Sequence, residues 1–67
     1  MIKNNVSTII GSRRLSVAET ARLANLKYNT VDDLYNDKTK GVKFETLNKL
    51  CWALDCSPND LFVYIPD

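Results

Sequence analysis

The stretch Ser16–Asn36, SVAETARLANLKYNTVDDLYN, decides the fold. Ser16 is a good N-cap and Glu19 stands three positions later, the spacing of a capping box, so a helix is predicted to start at Val17. Ala18, Ala21, Leu23 and Ala24 continue it, with Ala21 small enough to let another helix cross closely. Asn25 then occupies a place where a left-handed residue stops a helix, a conformation Asn tolerates better than most. Leu26 is predicted to plug the turn. From Lys27 onward, Val31 and Leu34 recur at the spacing of one helical face. The stretch therefore reads as helix, tight turn, helix, with small or apolar residues inward at 18, 21, 26, 31 and 34.

The remaining chain sets the limits. Sixty-seven residues make one domain, too small for a deep catalytic cleft beside a separate binding unit. An apolar fraction of 45% argues for a packed fold and against disorder. A core this small is marginal, which makes dimerisation a natural source of added stability. No apolar run approaches the roughly 20 residues of a membrane span. The opening MIKNNVSTIIGS lacks the long apolar segment and cleavage site of a signal peptide, so a cytoplasmic location is expected. With no His, only two glycines and no activated nucleophile pair or phosphate-cradling motif, the chain does not read as an enzyme, and no cofactor or small-molecule substrate is expected. Cys51 and Cys56 lack the partners and spacing of a metal site; they read as reduced, mostly buried thiols.

Along the chain, Ile2, Val6, Ile9 and Ile10 fall close to one stripe of a first helix over 3–12, with Leu15 sealing the joint to the next. After Asn36 the residues DKTKGV form a loop, because Gly41 and clustered polar residues break the period. Helical spacing resumes over 44–54, with Phe44, Leu47, Leu50, Cys51 and Leu54 on one face. Trp52 falls off that face, where it covers a neighbouring element or a subunit contact. Ser57-Pro58-Asn59-Asp60 is a compact helix start, and Leu61 and Phe62 follow it. The tail at 63–67, VYIPD, is apolar and extended, suited either to a strand across a dimer or to docking on its own domain. Five helices, short connections and no convincing strand pair predict an all-α fold: a single domain over 1–67, with a helix-turn-helix at 17–36, a basic loop at 37–43 and the tail at 63–67.

The inward pattern at 18, 21, 26, 31 and 34 resembles the DNA-binding helix-turn-helix. The pieces LSVAETARLANLKYNTVDDLYN, KTKGVKFETLNKLCWALDC and SPNDLF together resemble the phage repressor and Cro-like family, also called the xenobiotic response element family. The resemblance spans residues 6–62 and implies a compact five-helix, lambda-repressor-like domain. Two positions depart from the family pattern. Thr20 stands where a larger aliphatic residue is usual, and Lys27 stands where a Ser or Thr cap is usual, a loss of about 1 kcal/mol of helix stability.

On the third helix, positions 28, 29, 32, 33 and 36 lie opposite Val31 and Leu34, which offers Tyr28, Asn29, Asp32 and Asp33 to a partner. Asn29 suits adenine, because an amide pairs with N6 and N7 together; Tyr28 suits a thymine methyl or a phosphate, and Asp33 can accept from cytosine N4. Asp32 either faces the partner or pairs with a local base such as Lys27 or Lys49. By resemblance, Tyr28, Asn29 and Asp33 are base-reading positions, and Val17 occupies a place where many members carry Gln. Also by resemblance, Ser16, Asn36, Lys38, Thr39, Lys40 and Lys43 are phosphate-binding. The resemblance thus implies a sequence-specific regulator of double-stranded DNA, a repressor that acts as a homodimer.

The charge argues less simply. Nine basic and eight acidic side chains leave a net +1, low for a nucleic-acid binder. Lys38, Lys40 and Lys43 are concentrated in one loop, and with Arg13 and Arg14 they would form a basic rim if the fold joins them. Asp32–Asp33, the small net charge and Trp52 support a second reading, an antitoxin-like or anti-repressor module that docks a protein.

Overall fold

Five helices and a small sheet made by the two chain termini build the fold: β1 (Ile2–Asn4), α1 (Val6–Ser12), α2 (Val17–Ala24), α3 (Tyr28–Tyr35), α4 (Phe44–Leu54), α5 (Pro58–Leu61) and β2 (Phe62–Tyr64). The computed structural model describes residues 1–67. Each helix contributes to one core: Val6 and Ile10 from α1, Ala21 and Ala24 from α2, Val31 and Leu34 from α3, Leu50 and Leu54 from α4, and Leu61 from α5. The small residues of α2 let it lie close to both α3 and α4, while α1 packs on α3 and α5.

The all-α expectation is corrected by the termini. β1 and β2 pair antiparallel, with Ile2 opposite Tyr64, Lys3 opposite Val63 and Asn4 opposite Phe62. The tail therefore docks on its own domain. This pairing also shortens the first helix, which starts at Val6 and not at residue 3. Asn4 makes the break: its Oδ1 accepts from the Val6 N–H at 2.9 Å and its Nδ2 donates to the Leu34 carbonyl at 2.9 Å. That side chain turns the strand into the helix and ties both to the end of α3.

Two inward assignments also change. The inner face of α2 is Val17, Thr20, Ala21 and Ala24, an i, i+3, i+4, i+7 set, so Ala18 is exposed. Thr20 is fully buried and its hydroxyl donates to the Ser16 carbonyl at 2.9 Å, which satisfies the polar group inside the core. In α4 the packed set is Leu47, Leu50, Cys51 and Leu54. Phe44, at the first position of the helix, extends past it and is 88% exposed. Leu26 is half-buried, packed against the core from the turn.

All four longer helices end on a left-handed residue, and none of these is glycine: Arg14, Asn25, Asp37 and Asp55. Each is followed by a bond closing six residues, Leu15 N–H to Ile10 carbonyl, Leu26 to Ala21, Lys38 to Asp33 and Cys56 to Cys51. This is the Schellman arrangement, which usually sets an apolar pair across the bond. Three ends follow that habit, and the end of α3 has Lys38 and Asp33 in those places. Cys51 and Cys56 are thus a packing pair of free, half-buried thiols, and burial together with Cys51 pushes the Cys56 thiol up.

Candidate nucleic-acid interface

The helix starts fall into two kinds. α2 begins at Ser16, whose Oγ accepts from the Glu19 N–H at 3.0 Å while the Ser16 N–H donates to Glu19 Oε1 at 2.9 Å. The expected capping box is complete, and these bonds hold the Glu19 carboxyl below the usual carboxylate range. α5 begins at Ser57, and Asp60 reaches back to accept from its N–H at 2.9 Å and from its hydroxyl at 3.2 Å. α3 and α4 begin instead at Lys27 and Lys43, and neither lysine side chain can accept a hydrogen bond. Their first backbone N–H groups have no side-chain cap, which leaves the positive ends of two helix dipoles open.

A cleft of about 290 Å³ lies between α3 and the start of α4, lined by Thr30, Asp33 and Leu34 of α3 and by Thr39, Gly41, Val42, Lys43 and Thr46. Thr30 and Thr46 each stand three residues after the lysine that begins their helix. Neither threonine is evident as a site residue in the sequence, because its place depends on where α4 starts relative to α3. Val42 packs on the core and fixes the loop at its far end.

Outward from Val31 and Leu34, α3 presents Tyr28 and Asn29 exposed, with no side-chain bond inside the protein competing for the Asn29 amide. Asp33 is exposed at the rim of the cleft, and no cation lies within ion-pair distance of it. Asp32 is half-buried and engaged with Asn36, whose Nδ2 donates to the Asp32 carbonyl at 2.9 Å and to its Oδ1 at 3.1 Å. That internal bond, and not Lys27 or Lys49, is the partner of Asp32. Tyr35, 40% exposed, stands seven residues from Tyr28 and extends the same flank of the helix. Its place beside Tyr28 follows from the seven-residue spacing, two helical turns.

Lys38, Lys40 and Lys43 are exposed and unpaired. The Thr39 hydroxyl donates to the Gly41 carbonyl and accepts from the Gly41 N–H at 3.3 Å, so it shapes the loop from within. Ser16 uses its oxygen as an acceptor and keeps its proton available to a partner. Val17 is half-buried against the core.

The five-cation rim does not assemble. Arg13 Nε donates to the Leu54 carbonyl at 2.8 Å and its Nη2 to the Asp55 carbonyl at 3.3 Å, capping the C-terminal end of α4. Lys43 stands at the other end of that 11-residue helix, about 16 Å away along its axis. The cation in the cleft itself is Lys43 at the start of α4, and Lys38 and Lys40 stand exposed in the loop before it.

A family model of the Cro/C1-type HTH DNA-binding domain matches residues 5–67. A relative in Bacillus subtilis (strain 168), the uncharacterized HTH-type transcriptional regulator YozG, is 30% identical over 63 residues, which cover 94% of this chain and 75% of the relative. No helix is long and apolar enough to cross a membrane.

Proposed function

The chain belongs to the Cro/C1-type helix-turn-helix DNA-binding family, and we propose that it is a transcriptional repressor that binds operator DNA as a homodimer. The observation that carries this reading is the cleft between α3 and the uncapped start of α4, lined by Lys43, with the exposed and unpaired Lys38 and Lys40 in the loop that leads to it. Free N–H groups at a helix start bind phosphate oxygens, and the dipole adds to the attraction. Each subunit lays α3 in the major groove of one half-site, with half-sites about one helical turn apart.

Reading and holding are divided. Tyr28, Asn29 and Asp33 face base edges, Asn29 through a two-bond pair with adenine and Asp33 through cytosine N4. Val17 adds an apolar contact from the start of α2. Lys38, Lys40 and Lys43 supply charge to the backbone, and Ser16, Asn36 and Thr39 supply polar contacts around them. The single positive net charge is compatible with this because three of the nine cations, Lys38, Lys40 and Lys43, are concentrated in one loop, exposed and unpaired. Asp33 remains in the interface as an element that rejects wrong bases more than it adds affinity.

Selection from a random duplex library, followed by binding across a salt series, tests the reading. Asn29→Ala is expected to cost about 1–3 kcal/mol on the selected site and to relax preference at one base position. Lys40→Ala is expected to weaken all duplexes alike and to flatten the salt slope by about one per half-site. Salt-insensitive binding, or equal effects from the two variants, would overturn the assignment of roles.

A further inference from the structure

The outer side of α4 carries Phe44, Asn48 and Trp52, spaced i, i+4, i+8 and so aligned along one stripe. Phe44 is 88% exposed and Trp52 75% exposed. Leu23 of α2, 49% exposed, stands beside Trp52, and these two with Asn25, Asn48 and Lys49 border a groove of about 400 Å³. Large aromatic side chains bury roughly 150–250 Å² each, so Phe44, Trp52 and Leu23 offer roughly 400 Å² of apolar surface to solvent. A patch of that size is on the scale of the largest apolar patch of a monomer, which is often a functional contact surface.

We infer that a second copy of this chain covers it, with the two α4 helices packed antiparallel about a two-fold axis through Asn48. The inference rests on the homodimer reading and names its surface. The stripe is symmetric about Asn48, with an aromatic residue four positions to either side. Antiparallel pairing therefore sets Phe44 of one copy against the Leu23–Trp52 groove of the other, twice over. On the axis Asn48 meets its own counterpart, and an amide is self-complementary because it carries both donor and acceptor. A two-fold contact sets like against like, so a face of one sign would repel itself. This face carries Glu45 and Lys49 as an internal pair and is neutral.

The geometry leaves the reading helix clear. The stripe lies on the side of α4 opposite Leu50 and Leu54, whereas α3 and the lysine loop form the cleft at the start of α4. Phe44 directly follows Lys43, so the partner copy seats against the residue next to a phosphate-binding lysine. The area is about half of the roughly 800 Å² each partner gives to a standard interface, so the dimer is weak alone and strengthened by paired half-sites.

Trp52 is the chain's one tryptophan, so its emission reports the interface directly. Sedimentation velocity and fluorescence are run on the full chain from low micromolar to millimolar concentration, beside Asn48→Glu, which sets two carboxylates on the axis. Expected is a monomer-to-dimer shift with Trp52 emission moving to shorter wavelength in step. Asn48→Glu should dimerise at least tenfold more weakly while keeping the same circular dichroism and thermal midpoint, since residue 48 is exposed. A chain that stays monomeric at millimolar concentration overturns the inference. So does a dimer whose Trp52 emission does not move, which would place the contact elsewhere, as on the open edges of the terminal sheet. Equal dimerisation by Asn48→Glu overturns it too. The DNA reading is scored separately, by salt-sensitive binding of the Asn48→Glu monomer to a single half-site duplex.

Discussion

The two helices of the motif are equal in length and opposite in finish. α2 is closed at both ends by its own side chains, with the Ser16–Glu19 box at the start and Leu26 brought onto Ala21 by the left-handed Asn25 at the end. α3 has no side-chain cap at Lys27, and at its end the same Schellman closure sets Lys38 over Asp33, two groups that seek water or a partner. Local closure stabilises a helix without any neighbour, while an open helix depends on its packed face. The scaffold helix is thus capped at its start from within, whereas α3 is left open at its start and closed only at its end, where Asn36 and Asn4 donate to the Asp32 and Leu34 carbonyls.

If α3 is held mainly by its core face, truncating that face should have the largest consequence. Leu34 is 2% exposed, and Leu34→Ala is expected to destabilise the domain by about 2–5 kcal/mol in chemical unfolding. A loss below about 1 kcal/mol would mean that α3 is held by something other than packing. The small inner residues of α2 offer no truncation of comparable size.

Next in size is the cap of α2. Ser16→Ala should cost about 1 kcal/mol, which for a chain of this length lowers the thermal midpoint by about 4–8 °C. The cap also carries a pH signature. Glu19 titrates lower in the folded protein than in the unfolded chain, so its contribution is present above the ordinary glutamate value of about 4.3 and is lost as the pH falls through the lower folded value. The difference between wild type and Ser16→Ala should therefore narrow on acidification through that window. A gap that stays constant with pH would break the link between cap and carboxylate.

The smallest effect sharpens the comparison from the other side. Lys27→Ser offers α3 the acceptor it lacks and should stabilise the free domain by about 0.5–1 kcal/mol. The added cap occupies an N–H otherwise available to phosphate and removes one positive charge, so duplex binding should weaken as stability rises. A variant that gains both would show that the open start of α3 has no part in binding.

Much of this was legible because it is local. The Ser16–Glu19 spacing, the stop at Asn25, the break at DKTKGV and the Ser57–Asp60 start each involve residues within a turn of one another, and the structure keeps them all. The departures lie where distant segments decide. The sheet needs residues 2–4 to meet 62–64 across nearly the whole chain, and neither three-residue strand is distinguishable alone. Arg13 reads as a cation near the motif until the carbonyls of Leu54 and Asp55 claim it. The candidate site divides the same way. Asn29 and the loop lysines could be chosen from helical spacing and charge, whereas the engagement of Asp32 by Asn36 and of Thr39 by Gly41 reduces what those residues have left to offer.

By itself, then, the sequence determined where helices α2 to α5 begin and which side chains stand on the outer face of α3, since capping, periodicity and side-chain chemistry act over one or two turns. Tertiary structure alone decided how α3 meets the start of α4 in one cleft, which cations are spent on internal carbonyls and which aromatic residues remain uncovered. Those outcomes depend on the packing of α2 against α3 and α4, and burial, unlike capping, is settled by the whole chain at once.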